Sequence, residues 1–503
     1  MTYSFLLNAK IIDISADYPI VILNPNVAKK LNANHLDRMQ LEINNKITVC
    51  VLDTSHSYVD ENSVGLFKDT AFDLNISNND KIKISVLPHP KSVDYIISKI
   101  NNKTLNAEQL REIVKDINSN SISEVELSAF ITSIFINGFN IDETTDFCKE
   151  LIEIGDKIEF NEKIILDKHS IGGINGRVSM IITPIISSLG YKIPKTASRS
   201  ITSAAGTADA MEVLAPVSFT IDEIKEIINK VGGVISWEGK FDLCPVDNTI
   251  INIEHALNIN PEGIMIGSIL SKKKSIGSTH LIIDIPVGPE VKIKDKENGE
   301  RLAKKFIAIS KSLGIKTKVL LTDGLSPCGY SFGPALEAKS VLEILENKYF
   351  DNLASKSCAI AGELLELVGH VKEGQGYNFA KEIITSGKAL EKFKEIIKVQ
   401  GGNIFSSKDV PKASFIRNIL SPENGTIISY SIKIFTKISS FLGAPIDKCA
   451  GVLIKKEIGS NVKKGEVLFE IHSDSEQKLK FTENYILDNF PVSFEKVILD
   501  EFS

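Results

Sequence analysis

The stretch "DKHSIGGING", Asp167 to Gly176, follows the apolar run Ile164–Leu166 and sets a lysine, a histidine and a serine ahead of a glycine-rich turn. That combination suits an anion. Glycine lets backbone N–H groups come close to a ligand, and the N-terminus of the helix that follows adds partial positive charge. Lys168 supplies a full charge, Ser170 and Ser179 supply hydroxyl donors, and Gly172 and Gly173 open the backbone. His169 has a hydrogen bond to offer a base or a sugar, although a histidine that merely fills a turn would look the same. A second stretch, "SRSITSAAGTADAME", gathers Ser198, Ser200, Thr202, Ser203 and Thr207 around Arg199, with Gly206 directly before Thr207. Hydroxyls at this density also serve as helix caps. Two such turns at the carboxyl ends of parallel strands, where ligands bind in α/β sheets, favour a phosphate site over two unrelated turns.

Other phosphate chemistries fit worse. No GxxxxGK[ST] occurs, and no GxGxxG follows the first strand, so neither a P-loop nor a dinucleotide fold is supported. The six cysteines form no CxxC or CxxH, and the eight histidines form no HExxH. No metal centre or disulfide framework is expected, and reduced thiols fit a cytoplasmic protein. The net charge of −6 over 503 residues argues against nucleic acid as a partner. No apolar run approaches the ~18 residues of a membrane span, and the N-terminus carries no evident secretory signal.

The elements that must position these residues follow from periodicity. Residues 1–88 read as a β-rich domain, from "YPIVILN", "MQLEIN", "KITVCVLD" and "KIKISVLP", ended by Pro88 and Pro90. Residues 89–160 turn helical. Asn106 with Gln109 and Ser123 with Glu126 have capping-box spacing. Leu110, Ile113 and Ile117 make one apolar face; Phe130, Ile131, Ile134 and Phe135 make the next; Asp142 is placed to cap a third helix that Gly155 ends. From 161 to 415 apolar runs alternate with helical patterns, the signature of a mostly parallel sheet with crossover helices. The strand ahead of the first turn is expected at 164–166. Residues 416–503 read as a glycine-punctuated α+β tail. The predicted fold class is therefore α/β with α and α+β parts.

At these two motifs the sequence resembles the pyrimidine-nucleoside phosphorylase family: "SRSITSAAGTADAMEVL" looks like its signature segment and "DKHSIGG" like its phosphate loop. The resemblance runs from about residue 91 to the C-terminus. With the extra N-terminal domain, the layout is similar to the long thymidine phosphorylases and to the AMP phosphorylases. It implies a class II nucleoside phosphorylase-like fold, whose helical domain is completed by about 248–276. It implies that Lys168, Ser170, Ser179 and Thr207 hold phosphate, and that Ser198 stands in for a family serine that falls on Ala197. It also implies that Gly172 and the segment Ser198–Ser203 touch a nucleotide, and that Lys292 does the same. Ser268 and Lys272 would grip the base, and their spacing of four places them on one helical face. Lys272 to Lys274 would otherwise read as a solvated helix end.

Two departures bear on the substrate. The arginine that pyrimidine enzymes use on the base falls on Ile253, and the aspartate that AMP phosphorylases use as proton donor falls on Asn260. Asparagine donates a hydrogen bond but delivers no proton, which counts against a purine leaving group. Lys168, read as the cation for inorganic phosphate, and segments such as "MEVLAPV" point the same way. The expected activity is therefore thymidine phosphorylase: phosphorolysis of a pyrimidine nucleoside to base and pentose 1-phosphate, with AMP phosphorylase as the alternative. Phosphate would attack the anomeric carbon. Lys168, Ser170, His169 and Arg199 would carry the chemistry by positioning and charge. Inorganic phosphate is a co-substrate, and no cofactor is expected. The family resemblance further implies a cleft that closes between domains, and a homodimer or higher oligomer. An anthranilate-type phosphoribosyltransferase would show a GTGGD-like loop where this chain has "SIGGING", and a lipoyl-like carrier would show a modified lysine where the tail has Lys463 and Lys464.

Overall fold

The computed structural model describes residues 4–16, 19–44, 46–172, 174–200 and 203–495, so Gly173 and Thr202 lie outside the described residues. The chain divides into two compact units, Met1–Ile154 with Cys244–Ser268, and Gly155–Leu243 with Ile269–Ser503.

The first unit opens with a closed barrel whose strands run in the order Ser4–Ile12, Ser63–Phe67, Ile20–Leu23, Lys46–Thr54, Arg38–Ile43, Lys81–Val86. Alternation turns Leu41, Leu52, Ile82 and Ile84 inward, where they are fully buried. Ser4–Ile12 and Ser63–Phe67 escape the sequence reading, and they are the strands that close the barrel and leave no edge exposed. Helices follow at Lys91–Ile100, Ala107–Asn118, Glu124–Asn137 and Ile141–Ile154. Both capping boxes form: the Gln109 N–H donates to Asn106 Oδ1 at 3.0 Å, and the Glu126 N–H donates to Ser123 Oγ at 3.3 Å. The helix Ile141–Ile154 is capped by Asn140 rather than Asp142, because the Glu143 N–H donates to Asn140 Oδ1 at 2.8 Å. Phe135 is 53% exposed while Phe130, Ile131 and Ile134 are buried. At 3.6 residues per turn Phe135 lies about 140° around the helix from Phe130, beyond the packed stripe.

The second unit is built on parallel strands. Lys316–Asp323, His280–Val287 and Leu166–Ser170 form one sheet, and Ile193–Thr196 pairs with Gly233–Ser236. A parallel bridge between Ile165 and Lys192 aligns the two into one layer. The helix Val178–Ser187 is buried along its whole length. Its sequence, VSMIITPIIS, is apolar on every side, as such a position demands. Ile181, Ile182, Ile185 and Ile186 are each fully buried, contributing roughly 1.5–3 kcal/mol apiece. The site strand runs further than expected. Its ladder to the neighbouring strand pairs Lys168 with Ile282 and Ser170 with Asp284. Lys168, His169 and Ser170 therefore belong to the strand itself, because that eight-residue neighbour holds them in register.

The C-terminal part carries an antiparallel sheet of Ser331–Phe332, Gly451–Ile454, Val467–Ser473 and Phe415–Leu420, packed by helices such as Ile432–Leu442 around Phe332, Phe435 and Phe469. Among the described residues no helix is long and apolar enough to cross a membrane.

Candidate active site

The site grows from one buried carboxylate. Asp284 is 1% exposed on the strand His280–Val287. Lys168 Nζ lies 3.4 Å from its Oδ2, and Lys356 Nζ, from the helix Asn352–Leu367, lies 3.3 Å from its Oδ1. Ser170 Oγ donates to Oδ2 at 2.9 Å and Thr322 Oγ1 donates to Oδ1 at 2.6 Å. Burial opposes the charge of Asp284, but Lys168, Lys356 and the two hydroxyls outweigh it and hold the carboxyl below its usual range. Burial depresses Lys168, Asp284 offsets part of that, and Lys356 adds to the depression. Two lysines share one aspartate, so the strand end keeps positive charge. Asp284 was readable in principle: it is the sole charged residue in the run "HLIIDIP" of a buried parallel strand. Lys356 gave no such signal.

A second cluster lies one strand over. Lys273 Nζ is 2.8 Å from Asp167 Oδ2, and both side chains are at most 2% exposed. Ser278 Oγ donates to the same oxygen at 3.2 Å, and Lys273 reaches Thr196 Oγ1 at 3.4 Å. Lys195, 6% exposed, donates to the Thr196 carbonyl oxygen. His169 is half-buried. Burial, then Lys273, Lys195, Lys168 and Lys272, push its pKa well below the usual imidazole value. It is therefore a neutral hydrogen-bonding ring. Of the three consecutive lysines, only Lys274 is a solvated helix residue; Lys272 pairs with Glu238 at 3.3 Å and Lys273 is the buried one. Successive helical residues point about 100° apart, so three lysines in a row cannot share one environment.

Two loops frame these clusters. The first is clamped from behind: Asn175 Nδ2 donates to the carbonyls of Gly329 at 3.2 Å and Ser331 at 3.0 Å. Arg177 Nε pairs with Glu337 at 2.5 Å. Gly176 has φ +87°, and a Cβ there would collide with the Cys328 carbonyl. Gly172, at φ +89°, faces open space. Ser179 is buried as the second residue of its helix. In the second loop, Asp209 Oδ2 accepts from the Ser200 N–H at 2.8 Å and the Gly206 N–H at 2.9 Å. Thr207 begins the helix Thr207–Glu212.

Arg199 makes a two-pronged pair with Glu212 at 2.7 and 2.6 Å, reaches Asp209 at 3.2 Å and stacks 4.5 Å over Trp237. Its guanidinium thus fixes the loop. Ser198 is exposed, Ala197 is buried, and Ser203 Oγ donates to the Ala205 carbonyl at 3.0 Å.

Three candidates remain. Lys292 is exposed after the strand His280–Val287. Asn260 and Ser268 belong to the first unit, where Asn260 is exposed and Ser268 half-buried. Ile253 is buried in the apolar core of the first unit's helices, so no base-binding cation stands at that position.

Comparison with known proteins bears on the substrate. The helical bundle domain of a glycosyl transferase family matches residues 93–155, the a/b domain of that family matches 162–244, and a pyrimidine nucleoside phosphorylase C-terminal domain matches 426–493. AMP phosphorylase of Methanococcus maripaludis strain C5 is 38% identical over 500 residues, covering 99% of each chain. AMP phosphorylase of Methanothrix thermoacetophila is 40% identical over 490 residues, covering 96% of this chain and 95% of its own. Anthranilate phosphoribosyltransferase from Thermus thermophilus shares the fold at 16% identity and TM-score 0.51, over 61% of this chain and 100% of its own. The enzyme from Saccharomyces cerevisiae does so at 18% and 0.52, over 62% and 98%. The expectation of a thymidine phosphorylase is overturned by the full-length relatives, which are AMP phosphorylases. Lys168 misled because inorganic phosphate is the nucleophile in both reactions. A cation suited to phosphate therefore does not distinguish one glycoside from the other.

Proposed function

The chain belongs to the pyrimidine-nucleoside phosphorylase family, and from that premise we propose that it is an AMP phosphorylase, converting AMP and inorganic phosphate to adenine and ribose 1,5-bisphosphate. The full-length likeness to AMP phosphorylases carries this reading. The buried Ile253 supports it, since a pyrimidine enzyme of the family would present an arginine there.

In this reading Lys168, Ser170, Ser179 and Thr207 hold the attacking phosphate, with Lys356 adding charge through the shared Asp284. A phosphate oxygen forms the new bond to C1′ while the C1′–N bond breaks and its electrons leave with the base. The fixed lysines and hydroxyls are arranged before the reaction begins, so positioning and electrostatics supply the rate. Neutral His169 offers a hydrogen bond to sugar or base. Gly172, Ser198, Ser203, Ser268, Lys272 and Lys292 are the proposed nucleotide contacts, and Asn260 the group opposite the leaving base. Arg199 acts as a positioning residue through Glu212 and Asp209.

The test is base release from AMP, adenosine, thymidine, uridine and cytidine, each with and without phosphate. Adenine from AMP, only when phosphate is present, is the expected result. Because lysines supply the positive charge, turnover should persist in EDTA. No phosphate-dependent release from AMP refutes the reading.

A further inference from the structure

Lys195 carries a buried amino group that, among the described residues, has no carboxylate partner. It is the penultimate residue of the strand Ile193–Thr196, it is 6% exposed, and it donates a hydrogen bond to the neighbouring Thr196 carbonyl. Among the described residues no carboxylate comes within ion-pairing distance of it. The two nearby aspartates are engaged elsewhere, Asp167 with Lys273 and Asp284 with Lys168 and Lys356. A buried unpaired cation costs several kcal/mol, so a protein keeps one where something else neutralises it.

The surroundings of Lys195 say what that is. From the adjacent strand it faces Asp167, Lys168 and His169, and from the helix Glu262–Ser275 it faces Lys273. The partner strand Gly233–Ser236 contributes no titratable group, and the flanking helix Ile221–Val231 turns Asp222, Glu223, Glu226 and Lys230 to solvent. With Lys195 protonated, four lysines, Lys168, Lys195, Lys273 and Lys356, stand against Asp167 and Asp284 at this strand end, an excess of two positive charges. A phosphate dianion carries the matching charge.

We propose that Lys195 completes the phosphate site, and that the dianion binds together with one proton taken up on that side chain. The inference rests on reading this strand end as the phosphate site. Burial, then Lys273, push the pKa of Lys195 well below that of an ordinary lysine, and Asp167 only partly offsets them. Buried and with no carboxylate beside it, Lys195 holds its proton less firmly than an ordinary lysine before the anion arrives. A dianion reverses the balance and restores the ammonium form. By linkage, anion affinity is full below the pKa of the free site and falls as pH rises through it.

Sulfate is the probe, because it stays dianionic where phosphate itself titrates. Calorimetry from pH 6 to 9, in two buffers of different ionisation enthalpy, reads affinity and proton uptake together. For the wild type, about one proton is taken up per sulfate, and affinity falls about tenfold per pH unit above the pKa of the free site. Lys195→Met keeps the bulk and removes the charge. Its proton uptake should drop by about one, and its affinity should be weaker and flat with pH. A variant with the wild-type uptake and slope would assign them to Lys168 and overturn the proposal. Should the variant fail to fold, the wild type alone decides: no sulfate binding, or binding without proton uptake, overturns it. No nucleotide is needed. A protein that shows the coupling yet releases no adenine from AMP would leave this inference standing and refute the substrate.

Discussion

Replacing Asp284 by asparagine removes one negative charge from a site where two lysines depend on it. Lys168 and Lys356 sit 3.4 and 3.3 Å from its oxygens, and Ser170 and Thr322 donate to them. At an effective dielectric of about 20, each ion pair represents about 5 kcal/mol of attraction before desolvation, which cancels much of it. Breaking a buried pair by deleting one partner costs about 3–5 kcal/mol, because the other charge is left behind. A lysine able to shed its proton keeps the loss near the lower end. For a unit of this size, about 3 kcal/mol lowers the thermal midpoint by about 5 °C.

The same substitution should strengthen anion binding, since a negative charge beside the phosphate is gone. If phosphate binds about tenfold more tightly, saturating phosphate returns about 1.4 kcal/mol more stability to Asp284→Asn than to the wild type. Differential scanning fluorimetry across a phosphate series measures both effects. An unchanged midpoint without phosphate would sink the argument for a shared carboxylate. A phosphate-induced shift smaller than that of the wild type would show that Asp284 assists the anion instead of opposing it.

Three further outcomes follow from the geometry. Lys168→Ala should lower phosphate-dependent turnover by about 10²–10³-fold while circular dichroism stays native; unchanged steady-state kinetics would remove its role. Asn260→Asp should raise AMP turnover and add an acid-dependent limb to the pH–rate profile, since aspartic acid delivers a proton and asparagine does not; an unaltered profile would show that this position does not serve the leaving base. Glu212, hydrogen-bonded to Arg199 and Lys448, is held down at about 2 from an ordinary 4.5, so its contribution is present above pH 4.5 and lost as pH falls toward 2. Arg199 stacks on Trp237, the single tryptophan of the chain, so tryptophan emission should change across that window and lose the change in Glu212→Gln; identical titrations in both proteins would refute the link.

Residue type and spacing along the chain determined a good deal. Capping boxes at Asn106 and Ser123 were legible because they are local, depending on residues three apart. The parallel α/β layer was legible because buried strands and crossover helices alternate in hydrophobic period. Lys168, Ser170 and Thr207 stand out in the sequence because glycine turns beside hydroxyls and lysine have a local signature. That signature is the ground for proposing phosphate as a co-substrate, whereas it carries nothing on the choice of glycoside, since both reactions use the same nucleophile. Only the tertiary structure decided that Lys168 lies on the strand, that Asp284 is shared by Lys168 and Lys356, and that Lys273 meets Asp167 while Lys274 meets solvent. It alone buried Lys195 with no carboxylate among the described residues within ion-pairing distance. These facts are long-range: they depend on which strands align and which helix face turns inward, and a linear pattern carries the charge of a lysine but not the distance to its partner.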